Sequence, residues 1–386
     1  MTLWQIIKRE LRQICIEDPR RLVFLFGAAA GYLFIFGALY SSNIVKYIPV
    51  IVCDEEQSTL SRELIRDFDS SDSFRVLAYA ASQEEMQTAL QDKSAYAALV
   101  IPRDFSRQIK TGGASNMLFV VNGSNIVITN IASSAAQDIS AAFSDKVAAS
   151  RAALRTGGNQ EQLAKRISPV SCHLRVLNNP TQGYMLFFLL GLAMAAFQQG
   201  IFFSAGAGVQ AEYVKREAIS FVRLLLGKLI TYWSLSMLSF LFVVTLAEYF
   251  WGICLKGPMT ELMGLASAFS FAFIAFSLLV SALFHNELQF VRASILYPVP
   301  AFIFAGYTWP QESMGPVMHG ISYFFPMAWF SNAVRQLFTA GRAAHLTENI
   351  VVLLTLGIGF YILANLVFRY RQRKFLPEKD GFSEKN

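Results

Sequence analysis

Apolar positions along the chain gather into six runs, at residues 22–40, 184–209, 229–253, 262–284, 291–304 and 350–368. A helix needs roughly 20 apolar residues to cross a bilayer, and all but the fifth run reach about that length. Before the first run, Leu3, Ile6, Ile7 and Leu11 share one face of an amphipathic helix fit to lie in the headgroup plane. Residues 41–181 have a different rhythm. Short apolar strands at 47–53, 74–78, 95–101, 116–121 and 170–177 alternate with helical periodicity at 58–68 and 125–154. Ser82-Gln-Glu-Glu85 reads as a capping box opening a further helix through Leu90, and Pro102 as the start of another. Alternating strands and helices predict a partly parallel sheet. The pattern therefore predicts a polytopic α-helical membrane protein with six transmembrane helices and an α/β domain inserted between the first two.

Composition agrees. The 386 residues are 54% hydrophobic and 16% charged, with 34 Phe, against about 25% charged in soluble domains. The net charge of +6 raises the question of nucleic acid, but the bases sit beside apolar runs rather than in one patch, which excludes it. Lys215, Arg216, Arg223 and Lys228 crowd residues 210–228, and Arg369-Tyr-Arg-Gln-Arg-Lys374 follows the last run. The alternate connections carry only Lys256, Arg335 and Arg342. The positive-inside rule then predicts both termini and the 210–228 connection in the cytoplasm of a cell with this chain in its inner membrane. Expected boundaries are a cytoplasmic helix 1–21, a first span 22–42 serving as an uncleaved signal anchor, an extracytoplasmic domain 43–180, spans two to six over 181–369, and a cytoplasmic tail 370–386.

The fifth run is short, contains Pro298 and Pro300, and is followed by Phe304-Ala-Gly-Tyr-Thr-Trp-Pro-Gln-Glu-Ser-Met-Gly-Pro-Val-Met318. Irregular backbone at membrane depth survives only where protein or a cavity shelters it. Residues 308–345 are thus expected to form two short helices re-entering from the outer face, with Gly306, Trp309, Pro310, Glu312, Met314, Pro326 and Arg335 as the residues that shape the turn. An ordinary outer loop lying on the membrane is the other reading.

Little in the sequence suggests catalysis. There is no G-x-x-x-x-G-K-[ST] loop. His173, His285, His319 and His345 fall in separate connections, indicating neither a zinc site nor a catalytic dyad. Asp54-Glu55-Glu56 reads as carboxylates favouring a helix N-terminus rather than a calcium site. Within the spans only Glu248, Gln198 and Gln199 stand out, too few for a proton relay. Cys53 and Cys172 both fall in the inserted domain, where an oxidising compartment would allow a disulfide. Two separate thiols is the alternative.

Three segments carry a family resemblance: Ile48-Pro-Val-Ile-Val-Cys-Asp-Glu-Glu-Gln-Ser-Thr-Leu-Ser-Arg62, Ala97-Ala-Leu-Val-Ile-Pro-Arg-Asp-Phe105, and Pro310-Gln-Glu-Ser-Met314 with Pro326 and Ala333-Val-Arg335. In order and spacing the chain resembles permease subunits of type-2 ABC exporters in the multidrug-efflux branch. The resemblance implies an ABC ATPase subunit as partner, with ATP and Mg²⁺ bound there and no cofactor on this chain. It also implies a second permease copy (homodimer or close paralogue), and a periplasmic adaptor with an outer-membrane channel as further partners. Glu212, Tyr213, Lys215, Arg216, Glu217 and Arg223 would form the ATPase-coupling loop, as a short helix along the membrane surface. A plain positive-inside anchor is the alternative for that loop. The implied activity is export of an amphiphilic or lipophilic substrate. A receptor or sensor whose outer domain binds a ligand is the competing reading.

Overall fold

The computed structural model describes residues 2–41, 45–111, 113–156, 178–179, 183–215, 221–284 and 286–375. They form two compact units, one from Ile44–Arg175 and the other from Met1–Asn43 with Val176–Asn386.

The inserted unit is an α/β sandwich. Its strands are β1 (Ile48–Asp54), β2 (Phe74–Tyr79), β3 (Ala97–Ile101) and β4 (Leu118–Val121), in the order β2-β1-β3-β4. β1 runs parallel to both β2 and β3, and β4 is antiparallel to β3. Alternation decides which face each residue serves. Val50 and Val52 join Phe68, Phe74 and Phe105 in one core, whereas Ile51 and Cys53 join Met86 and Leu90 in the other. The predicted strand at 170–177 lies outside the described residues, as does Cys172.

The acidic turn after β1 is a structural clamp. Asp54 accepts the Ser61 hydroxyl at 2.7 Å, and Glu56 accepts the amide and hydroxyl of Ser106, both at 2.7 Å, across to another helix. The Ser82 box forms with a shift of one residue: Ser82 accepts from the Glu85 amide, while the Glu85 carboxylate accepts from Ala81 rather than Ser82.

The second unit contains the apolar helices. The amphipathic α1 (Leu3–Arg12) passes through a π-helical turn at Gln13–Glu17 into α2 (Arg20–Leu39). The inserted unit then contributes α3 (Thr59–Asp69), α4 (Gln83–Gln91), α5 (Phe105–Thr111) and α6 (Ile126–Thr156). The bundle resumes with a π-helical turn at Met185–Leu189 and α7 (Leu190–Lys215), then α8 (Phe221–Trp251) and α9 (Met259–Leu283). After these come α10 (Glu287–Leu296), α11 (Pro298–Phe304), α12 (Pro316–Ser322), α13 (Pro326–Thr339) and α14 (Leu346–Phe375).

Among the described residues five helices are long and apolar enough to cross a membrane, within α2, π-turn plus α7, α8, α9 and α14. The expected fifth run is not a sixth such helix. It is α10 followed by α11, broken at Tyr297 because Pro298 lacks an amide to continue the ladder.

Contacts fix the helix directions. Ser239 donates to the Leu25 carbonyl, Phe26 meets Phe242, and Phe34 meets Phe250, so α2 and α8 run parallel. Phe24 meets Phe203 and Tyr40 meets Tyr184 at 6.1 Å, so α7 runs antiparallel to α2. Ser277 and Ser281 donate to the Phe202 and Gly206 carbonyls, each at 2.7 Å, making α9 parallel to α7. Phe276 meets Phe360, and Arg371 donates to the carbonyls of Ala282 and Phe284, so α14 is parallel to α9. The broken pair climbs back along α7: Phe290 fills the space at Gly206, Tyr297 meets Phe202, and Tyr307 lies on Gly191. Hydroxyls bonded across helices to backbone carbonyls are the glue available where solvent gives no hydrophobic drive.

Candidate functional site

The end of the bundle where α7 gives way to α8 holds the expected coupling residues. The helix-forming run Ala-Glu-Tyr-Val-Lys contains no Gly or Pro, so α7 continues through Glu212 and Tyr213 to Lys215 instead of stopping at residue 209. α8 begins at Phe221, with Arg223 exposed in its first turn. A separate surface helix is therefore not formed by 212–215. Arg216 and Glu217 lie outside the described residues.

Beside this junction is a buried charge cluster. Ile6, Glu10, Gln13 and Ile14 form the buried face of the N-terminal segment. Glu10, 1% exposed, meets Lys228, 0% exposed, at 2.5 Å. Tyr232 donates to the other Glu10 oxygen at 3.0 Å, and the Arg21 guanidinium lies 3.8 Å from that oxygen. Arg21 also holds Asp18 at 3.0 Å. Burial opposes ionisation of Asp18, but hydrogen bonds and attraction from Arg20 and Arg21 outweigh it and hold its carboxyl below the ordinary value.

Glycines make room for the cluster. A Cβ at Gly208 would sit 2.6 Å from the Tyr232 oxygen, and one at Gly227 would sit 2.5 Å from Ile6 Cγ2. The sequence carried a faint signal: a carboxylate four residues after Ile6, inside the apolar stripe, and a lysine flanked by Leu224, Leu225 and Leu229. Nothing local linked the two.

At the other end lies the turn after α11. Gly306 has φ +82, a left-handed conformation suited to glycine. Tyr307 turns inward, its hydroxyl donating to the Ser331 carbonyl at 3.3 Å. Trp309 stays exposed and donates to Ser313, while Pro310 leads into the turn at Gln311–Ser313 that includes the exposed Glu312. Met314 is half-buried and Pro326 buried at the start of α13.

α13 is sheltered, with Phe330 stacked on Phe269 at 4.0 Å, about 15 Å along α9 from its first residue at 1.5 Å per residue. Its last turn returns to the end of the bundle, where the Lys256 ammonium donates to the Thr339 carbonyl at 2.9 Å. α12 differs: Val317, Met318 and Ile321 are exposed, so only one of the two expected helices is enclosed.

Arg335 lies between the rings of Phe187 and Tyr307, at 4.6 and 4.9 Å, with Asn332 accepting from it at 2.5 Å. A cavity of about 340 Å³ beside α13 is lined by Glu312, His319, Trp329, Asn332, His345 and Glu348 among others. Two histidines that the sequence separates thus share one hollow. Among the described residues no group of three or more His, Cys, Asp and Glu is placed to hold a metal. Cys53 is a buried thiol. Glu248 is exposed, and Gln198 is fully buried with neither amide atom bonded within the described residues.

The family model for ABC-2 family transporter proteins matches residues 21–366. The chain belongs to the ABC-2 transporter family. It is similar to "Probable multidrug ABC transporter permease YbhR" of Escherichia coli (strain K12), with 22% identity over 379 residues, covering 94% of this chain and 97% of that protein. "Probable multidrug ABC transporter permease YbhS" of the same strain is 26% identical over 151 residues, 39% of this chain and 38% of that one. As an ABC-2 permease the chain is a multi-pass membrane subunit rather than an enzyme.

Proposed function

We propose that this ABC-2 permease forms the transmembrane path of an ATP-driven exporter that moves an amphiphilic or lipophilic substrate outward. A separate ATPase subunit carries ATP and Mg²⁺ and docks at the α7–α8 junction and α1. The observation that carries this reading is the sorting of charge between the two ends of the bundle. Lys8, Arg9, Arg12, Arg20, Arg223, Arg369 and Arg371 belong to the end holding α1 and the α7–α8 junction, whereas Lys256, Arg335 and Arg342 belong to the other. Under the positive-inside rule the first end is cytoplasmic and the inserted unit is extracytoplasmic in the inner membrane. The climb of α10 and α11 along α7 supports a sixth, broken crossing, and the depth of α13 supports a re-entrant segment capping the exit. Phenylalanine-lined helix contacts suit apolar cargo, the kind of compound the names of the relatives suggest. Two permease copies with two ATPase subunits, and an adaptor with an outer-membrane channel, complete the proposed machine.

Purification of the full-length chain from its native membranes tests this. The exporter reading expects a bound ATP-hydrolysing subunit, released when Arg216, Glu217 and Arg223 are reversed in charge. A permease that purifies folded with no ATPase, and binds a ligand through its inserted unit instead, refutes it.

A further inference from the structure

The buried cluster of Glu10, Lys228, Tyr232 and Arg21 is not accounted for by a membrane anchor. An amphipathic helix resting on headgroups needs an apolar inner face, yet α1 places a carboxylate at the centre of its buried face. Burying each ion has an effective desolvation cost of several kcal/mol, recovered only with close, well-directed partners. Glu10 has such partners on two other helices: Lys228 and Tyr232 on α8, and Arg21 on α2. Glu10 and Asp18 face Arg20, Arg21 and Lys228, so acids and bases meet within the cluster itself. Arg21 is tied onward, its carbonyl accepting the Ser204 hydroxyl at 2.7 Å. Above it α2 and α8 stay paired along their length, from Leu25 and Ser239 to Gly37 and Trp251. The ten-residue α1 is too short to be stable alone. Its position is set by what it grips.

We propose that Glu10 is a positioning residue that clamps α1 to α2 and α8 as one rigid body, making the N-terminal helix a lever through which the docked ATPase drives the α8 span. This rests on the exporter reading for the identity of what pushes. The clamp itself rests only on the geometry above.

A covalent substitute for the clamp provides the test. A Cβ at Gly227 lies 3.2 Å from Ile6 Cβ, slightly inside the 3.5–4.5 Å that disulfides span. The substitutions Ile6→Cys and Gly227→Cys, with Cys15→Ser to remove a competing thiol, should therefore cross-link on oxidation. Permease-dependent ATP hydrolysis is measured on the purified complex against its ATPase subunit alone. The oxidised pair should match the parent, because helices that move together lose nothing by being joined. Lys228→Met should keep the ATPase bound but lose at least ~5-fold of the stimulation, the lower range of coupling between sites. Oxidising the cysteine pair in that background should restore it.

An oxidised parent that binds the ATPase without being stimulated would show that α1 must part from α8, overturning the proposal. So would Lys228→Met with full stimulation, or a loss the cross-link does not repair. If no ATPase accompanies the parent, the exporter reading fails separately. The clamp is then judged by cross-linking in membranes, where a pair that stays reduced under oxidant overturns it.

Discussion

Gly191 and Tyr307 give the most direct test of how the turn after α11 is held. A Cβ on Gly191 would lie 2.5 Å from two atoms of the Tyr307 ring and 2.8 Å from a third. Carbon atoms in contact prefer about 3.5–4.0 Å, so in Gly191→Ala the ring must withdraw by roughly 1 Å or more. It has little space, because Phe302 stacks on it at 5.2 Å and Arg335 lies 4.9 Å from its centre. Overpacking of this kind costs about 1–3 kcal/mol. Loss of the Tyr307–Ser331 bond adds to that, at about 0.5–1.5 kcal/mol for a typical hydrogen bond. Replacing glycine in a helix returns about 0.5–1 kcal/mol. The net expectation is destabilisation by about 0.5–4 kcal/mol. Denaturation of the full-length protein in mixed micelles, followed by tryptophan fluorescence, measures it. The double variant Gly191→Ala with Tyr307→Ala should recover stability relative to the sum of the single changes, with a coupling of about 0.5–3 kcal/mol. A Gly191→Ala protein more stable than the parent, or strict additivity, would show that the ring is not seated on this glycine.

Ser281 bonds the Gly206 carbonyl and also lies 3.3 Å from the Gln210 amide, so Ser281→Ala should cost about 1 kcal/mol in the same assay, within the range for hydroxyl bonds between membrane helices. Ser270, whose hydroxyl has no partner among the described residues, should tolerate alanine at no cost, and equal losses at both sites would contradict the assignment. Burial raises the Glu56 carboxyl, but hydrogen bonds from Ser58 and Ser106 outweigh it and hold the group below its ordinary 4.5. Its stabilising effect is therefore present above pH ~4.5 and lost as pH falls through the folded value. Hydrogen exchange at the Ser106 amide, corrected for intrinsic rates, should lose protection on acidification in the parent and be unprotected at every pH in Glu56→Ala, which removes the acceptor; unchanged protection in the variant refutes the clamp. Burial, then the carboxylates of Glu55, Asp54 and Glu85, push the Cys53 thiol up. A polar maleimide should leave it unmodified at neutral pH in the folded protein, and mass spectrometry without reductant then reports whether it is bridged to Cys172. Free thiols at both positions would remove the disulfide.

Most of this fold is legible in local pattern. Hydropathy finds the long helices because each must satisfy its own backbone in lipid, and short continuous apolar runs find β1 and β3 because the sheet is covered on both faces. Pro298 announces the break between α10 and α11. What escapes the sequence is pairing over distance. Glu10 and Lys228 look like ordinary charges at the edges of apolar runs until the fold brings them within 2.5 Å. The helical continuation to Lys215 escapes too, because a charged run beside a span reads equally well as a loop or as the span's last turns. His319 and His345 are brought to one hollow only by the turn between α13 and α14, which no spacing encodes.

The 6.1 Å between the Tyr40 and Tyr184 rings has an evolutionary consequence. The chain leaves the helical bundle and rejoins it at adjacent points, so everything between is a cassette that the bundle experiences as one loop. Loop-closure entropy rises by only about 0.6 kcal/mol per doubling of length. Cassettes of very different size, or none, are therefore nearly interchangeable for the helices of the bundle. Descendants of one permease can change the inserted unit without redesigning the bundle that carries it.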